Sequence, residues 1–200
     1  MKLYGHPDSG HAFKVKFFLQ WANVEHNYEM IDIFSPRESR PAEFLNASKH
    51  CEVPCLVDGD QNLIHSNAIL VHLANKLGHL DDADSRQRNL EWLVWEANKI
   101  GLCLPQLRAD KRFEDSRLSE GAREWLRARY DHDVGVIDNE LSDGRAFILG
   151  DAPNIADFSL YGYLVHVLEA EVPVPSHVSQ WVDRMSALEG FEHPYEMLKA

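Results

Sequence analysis

Apolar and polar positions follow two different rhythms along this chain. The first eighty residues mix short strand-like runs with helices. "KLYG" is a brief apolar strand, and "HAFKVKFFLQWANV" then places Ala12, Val15, Leu19 and Ala22 on one helical face, with Phe18 beside them. "NYEMIDIF" carries Tyr28, Met30 or Ile31, and Ile33 between charged residues, which predicts a strand. "SPRESRPAEFLNASKH" is punctuated by proline and predicts a loop with one short, irregular helix. "VPCLVDGDQNLIHS" reads as a hairpin turning at Asp58-Gly59-Asp60. "SNAILVHLANKLG" follows as a helix, with Ser66 as N-cap and Gly78 just past its end. The first two strands, joined through a helix, are expected to lie parallel with a right-handed crossover.

From Asp81 the strand signals vanish. "SRQRNLEWLVWEANKIGLCLPQL" puts Leu90, Leu93, Val94, Ala97 and Gly101 on one helical stripe, and residues 116–141, 154–170 and 176–188 predict three more helices. Asn154 and Asp157 form an Asn-x-x-Asp capping pair at the head of "IADFSLYGYL", which makes Asp157 a folding element. There is no internal repeat. The acidic run "GHLDDADS" marks a linker, so the expected organisation is an α/β domain over residues 1–78, a linker at 79–84 and an all-α domain over 85–200.

Composition narrows the picture. A hydrophobic share of 44% and a charged share of 26% over 200 residues are those of a soluble globular protein. No apolar run reaches ~18 residues, so no membrane span is expected. "MKLYGHPDSG" lacks the pattern of a secretion signal. Three cysteines do not suggest a disulfide framework, and a reducing, cytoplasmic setting is expected. The net charge of −12 (20 basic against 32 acidic residues) argues against a nucleic-acid partner and requires any anionic ligand to be held by local features.

Two local patterns bear on chemistry. Ser9 stands at the mouth of the first helix, either as a plain cap or as a hydroxyl facing a ligand beside unpaired helix N–H groups. His50, Cys51 and Cys55 invite a metal reading, but a single Cys-x3-Cys is a poor zinc signature, and no metal is expected. His65, His72 and His79, seven residues apart, look like a helix surface.

"LYGHPDSGHAFKV", "EVPCLVDGDQNLIHSNAILVHLA" and "GDAPNIADFSLYGYL", in this order and with long helices between the second and third, resemble the cytosolic glutathione transferases. The likeness is to serine-type members of the bacterial, theta/nu-like kind. It implies a thioredoxin-like N-terminal domain, an all-α helical C-terminal domain and a homodimer. Glutathione would serve as co-substrate with a small hydrophobic electrophile, as in detoxification. In the family the bond before Pro54 is cis, and the backbone of Val53 pairs strand-fashion with the tripeptide. The resemblance places the γ-glutamyl carboxylate at Ser66 and the sulfur at the Ser9 hydroxyl, which stabilises a thiolate whose ordinary pKa is about 8.5. His11, where relatives often carry Asn, is a second donor to the sulfur or a solvated side chain. Tyr4, another hydroxyl, is expected to pack. No cysteine stands at the helix mouth, which argues against disulfide exchange.

The chain also departs from the family pattern. His65 stands where relatives usually carry Glu, Gln or Asp, and a protonated imidazole would oppose the ligand's ammonium. In "SKHCEVP", Cys51 replaces a glycine, implying a backbone without positive φ there or a reshaped loop. Arg40, or Lys49 with His50, could hold the glycyl carboxylate, though each singly also reads as a solvated charge. Trp92 and Trp95 are core or interface anchors, and residues near Trp95, Asn98 and Leu102 are candidates for contact with the electrophile. Three functions follow: a transferase, a glutathione-dependent isomerase or dehalogenase, and a transferase-like binding module without turnover.

Overall fold

The computed structural model describes residues 1–80 and 82–199. It divides into two compact units, Met1–Leu80 with Leu188–Ala200, and Asp81–Ala187. Within the expected linker at 79–84, residue 81 lies outside the described residues.

The first unit runs β1 (Lys2–Gly5), α1 (Gly10–Trp21), β2 (Asn27–Met30), α2 (Ala42–Ala47), β3 (Cys55–Asp58), β4 (Gln61–Ile64) and α3 (Ser66–Lys76). The sheet order is β2-β1-β3-β4. β1 and β2 are parallel, with Lys2 opposite Asn27 and Gly5 opposite Met30, whereas β3 runs antiparallel to both β1 and β4. Ala12, Val15, Phe18 and Leu19 are fully buried, and so are Phe13 and Phe17, so α1 is buried on every face rather than along the one stripe expected. Gly5 allows α1 to come close to β1: a Cβ there would stand 3.0 Å from Ala12 Cβ and 3.0 Å from the Tyr28 ring.

Three sequence expectations shift here. β2 ends at Met30 rather than continuing to Phe34, because Asp32 turns the chain: its Oδ1 accepts from Phe34 N and its carbonyl from Ser35 Oγ. The hairpin loop is the pair Gly59-Asp60, with Gly59 at φ 60. The cap of α3 is His65, so Ser66 is the first helical residue and not the N-cap.

The second unit is all helical: α4 (Ala83–Asn98), α5 (Ile100–Arg112), α6 (Glu120–Glu140), α7 (Ile155–Leu164), α8 (Val167–Ala170) and α9 (Ser176–Ser186). The single helix expected over 85–107 is broken at Lys99, where φ is −122 and ψ −101. Gly101 accommodates the break, since a Cβ there would fall 2.6 Å from Glu96 Oε1. The rotation of α4 also departs from its apolar stripe. Val94 is 72% exposed, while Asn89, Leu93 and Glu96 are buried. Polar bonds to α7 set that rotation: Asn89 Oδ1 accepts from Ala156 N at 3.1 Å, and Ser159 Oγ donates to Glu96 Oε2 at 3.1 Å.

All ten residues of α7 are buried, and a capping box between Asn154 and Asp157 opens the helix. Asp157 accepts from Ile148 N, Asn154 N and Trp181 Nε1 at 2.9, 3.0 and 2.8 Å. The expected 154–170 helix is divided between α7 and α8. A last short helix, α10 (Pro194–Met197), was not anticipated; it belongs to the first unit and packs on α1.

Candidate active site

The turn between β1 and α1 is closed by its own backbone. Ser9 N donates to His6 O at 2.9 Å, and Asp8 N donates to His6 Nδ1 at 3.0 Å. His6 is nearly buried, its ring edge-on to Phe34, and burial lowers its pKa while Asp8 and Asp32 act against the shift. Ser9 caps α1, its Oγ accepting from Ala12 N at 3.1 Å. A hydroxyl has one proton and two acceptor sites, so this cap leaves the Ser9 O–H able to donate to a further atom. Capping and ligand contact are therefore compatible in one side chain.

α3 contributes the second mouth. Its cap residue, His65, stands at φ 64 and ψ 113, outside the left-handed helical well and costly by about 1–3 kcal/mol. Non-glycine residues held this way concentrate where a ligand is met. The His65 ring lies 5.5 Å from that of His50. Ser66, also buried, brings its Oγ within 3.4 Å of His11 Nδ1, so two of the expected site residues, from α1 and α3, meet directly. A neutral ring whose Nδ1 accepts from Ser66 carries its proton on Nε2. The same helix pair is joined by Lys14, 1% exposed, whose Nζ donates to Asn67 Oδ1 at 2.8 Å. Helical periodicity alone does not reveal this cation; its signal is a lysine inside "AFKVKFFL", a run with apolar residues on every face.

The loop between α2 and β3 ends in a cis Val53–Pro54 bond. Cys51 sits at φ 54, a left-handed conformation that strains a residue with a Cβ, so the expectation of a backbone without positive φ is corrected. The loop is braced around it. Cys51 N donates to Ser48 O, Glu52 N donates to Ser48 Oγ, and Ser48 Oγ donates to Glu52 O. Arg40 is nearly buried and donates to the carbonyls of Cys51, Ile33 and Ser35. These contacts organise the loop around Cys51. Lys49 and His50 are exposed. Cys51→Gly is expected to stabilise the fold by about 1 kcal/mol; calorimetric melting showing a lower Tm would contradict the strain assigned to this position.

Tyr4 packs as expected, fully buried and edge-on to Phe44. Cys55 lies in the same cluster, with Ile31 and Ala47, and burial pushes its thiol up to about 11. A buried core thiol of this kind is a poor metal ligand. His72 pairs with Asp58 at 2.8 Å, and His79 packs against Trp21 and Phe18, so the three spaced histidines have three different surroundings. In the helical unit Trp92 and Trp95 meet edge to face at 5.2 Å, and Asn98 O accepts from Arg129.

Residues 1–75 match the glutathione S-transferase N-terminal domain, and residues 103–192 match the C-terminal domain of the same family. The chain is 32% identical over 107 residues to the disulfide-bond oxidoreductase YfcG of Escherichia coli, a match covering 49% of this chain and 48% of that protein. It thus spans about half the length of that relative. It is 24% identical over 207 residues to an isoprene-epoxide–glutathione S-transferase of Rhodococcus, covering 83% of each. The solved structure of a glutathione S-transferase from Xanthobacter autotrophicus superposes with a TM-score of 0.83 at 26% identity, covering 96% of this chain and 95% of the other. The protein belongs to the glutathione S-transferase family, and its mixed four-stranded sheet unit followed by a helical unit is that family's fold.

Proposed function

We propose that this protein is a serine-type glutathione transferase. Glutathione lies along the Val53 segment, its γ-glutamyl carboxylate at the Ser66 hydroxyl and the first N–H groups of α3. Those N–H groups and the helix macrodipole favour an anion. Arg40, or Lys49 with His50, meets the glycyl carboxylate. The sulfur is received by Ser9, with His11 as second donor. The observation that carries this reading is the Ser9 hydroxyl, which caps α1 through its oxygen and keeps a proton to donate. Donation to sulfur favours thiolate over thiol. The thiolate attacks a small electrophile held beside it; an S–C bond forms while a halide leaves or an epoxide oxygen opens and takes a proton from water. The epoxide in the name of the Rhodococcus relative makes that electrophile class the first to try. We read the protein as cytoplasmic, in keeping with its three free cysteines, and as a homodimer in which a second copy covers the exposed Val94 face of α4. Turnover of an aromatic halide or an epoxide with glutathione tests the reading; a protein that binds glutathione yet conjugates neither contradicts it.

His65 favours a second reading, a transferase-like module that binds without turnover, because an imidazole there is a poor partner for an ammonium. Absence of both heat and thermal shift at millimolar glutathione would support a module with some other ligand. Product analysis separates the remaining alternative, an isomerase or dehalogenase, since glutathione would then emerge unconjugated. His65→Glu supplies the missing charge partner and is expected to tighten glutathione binding about tenfold, the worth of one charge-assisted hydrogen bond. Unchanged affinity by calorimetry would mean that the ammonium lies elsewhere.

A further inference from the structure

The stretch Leu188–Lys199 returns from the end of the helical unit and belongs to the first unit. It follows α1 from its last turn back to its mouth. Gly190, at φ 80, lies so close to α1 that a Cβ would stand 3.0 Å from Gln20 C and 3.1 Å from Trp21 N. Phe191 packs edge-on against Phe17 and Phe13, with ring centroids 5.5 and 6.4 Å apart. Tyr28, from β2, donates to Leu198 O at 2.8 Å and fixes the far end. Between these anchors Tyr195 Oη donates to Asp8 Oδ1 at 3.3 Å, its ring 5.3 Å from that of His193.

Asp8 is the residue before Ser9. Its N–H is already bound to His6 Nδ1, so its backbone is fixed from one side and its carboxylate from the other. We propose that Tyr195 is a positioning residue for the Ser9 turn, the strap of residues 188–199 holding Asp8 so that Ser9 presents its hydroxyl correctly. The inference rests on the proposed role of Ser9. There is an electrostatic side as well. A carboxylate beside the sulfur's expected position disfavours thiolate, and a hydroxyl donating to that carboxylate disperses its charge and restrains it from swinging toward the sulfur. In this proposal Tyr195 acts on the turn through Asp8.

The test compares Tyr195→Phe, Asp8→Ala and the double variant. The first readout is amide hydrogen exchange at Asp8, Ser9 and Ala12, which needs no turnover. Each single variant is expected to exchange about five- to tenfold faster at these amides with a Tm change below about 3 °C, and the double variant no faster than either. The second is the pH profile of kcat/KM, which in Tyr195→Phe is expected to move to higher pH, with KM for glutathione unchanged. Unaltered exchange, or additive effects in the double variant, overturns the proposal. Faster exchange with an unmoved pH profile in an active enzyme also overturns it, because the contact would then be structural only. If the parent protein conjugates nothing, the transferase reading fails on its own, and exchange alone decides whether the strap holds the turn.

Discussion

On the proposed transferase reading, Ser9→Ala is expected to lower kcat/KM for conjugation by about 10- to 100-fold near neutral pH, the worth of one hydrogen bond to a charged sulfur. Because Ser9 also caps α1 through Ala12 N, the variant loses about 1 kcal/mol of stability too. The two effects separate by substitution. Ser9→Asp keeps a capping oxygen but brings a carboxylate in place of the donor, so it is expected to fold and be inactive. Ser9→Thr keeps both functions and retains most of the activity. The activity lost in Ser9→Ala is also expected to return as pH rises toward the ordinary thiol range of about 8.5, where glutathione ionises unaided. Activity within about twofold of the parent at neutral pH would remove Ser9 from the mechanism, against the loss a single donor should give.

Asp157→Ala is expected to destabilise the helical unit by about 3–5 kcal/mol, since it strands the buried N–H donors of Ile148 and Trp181 and the half-buried one of Asn154, and opens a cavity among them. The loss of the Trp181 bond adds a local signature, a shift in tryptophan fluorescence. The pH dependence is distinct. Full burial pushes the Asp157 carboxyl up to about 6, against the donors that stabilise its charge. The folded state therefore holds a proton that an unfolded carboxyl near 3.9 releases, so this group's stabilisation is full below about pH 4 and is lost as pH rises through about 6, by about 3 kcal/mol. Asp157→Asn is expected to flatten that dependence while costing less than Asp157→Ala. Equal melting of Asp157→Ala and the parent would contradict the capping role.

Much of this fold is written in local signals. The Ser9 cap of α1, the turn at Gly59-Asp60 and the Asn154–Asp157 pair each specify their element with side chains close in sequence. The helix boundaries were harder to read where contacts distant in sequence decide them. The break at Lys99 depends on Gly101 meeting Glu96, and the rotation of α4 on Asn89 and Glu96 reaching α7, so the apolar stripe of α4 misstated which residues are buried. At the site, Ser9, His11, His65 and Ser66 were singled out by their place in the motifs that resemble the family, and the structure brings His11 and Ser66 within 3.4 Å of each other. The task of Arg40, the left-handed backbone of Cys51 and the bond from Tyr195 to Asp8 were not legible. They depend on how the 33–54 loop and the last twelve described residues fold back onto the sheet unit.

Crystals soaked with glutathione give the most direct test. Density for the tripeptide is predicted along Val53, with its γ-glutamyl carboxylate at Ser66 and its sulfur within about 3.5 Å of Ser9 Oγ, the reach of a hydrogen bond to sulfur. Density that is absent from this groove at saturating ligand, or that turns the sulfur away from Ser9, contradicts the account.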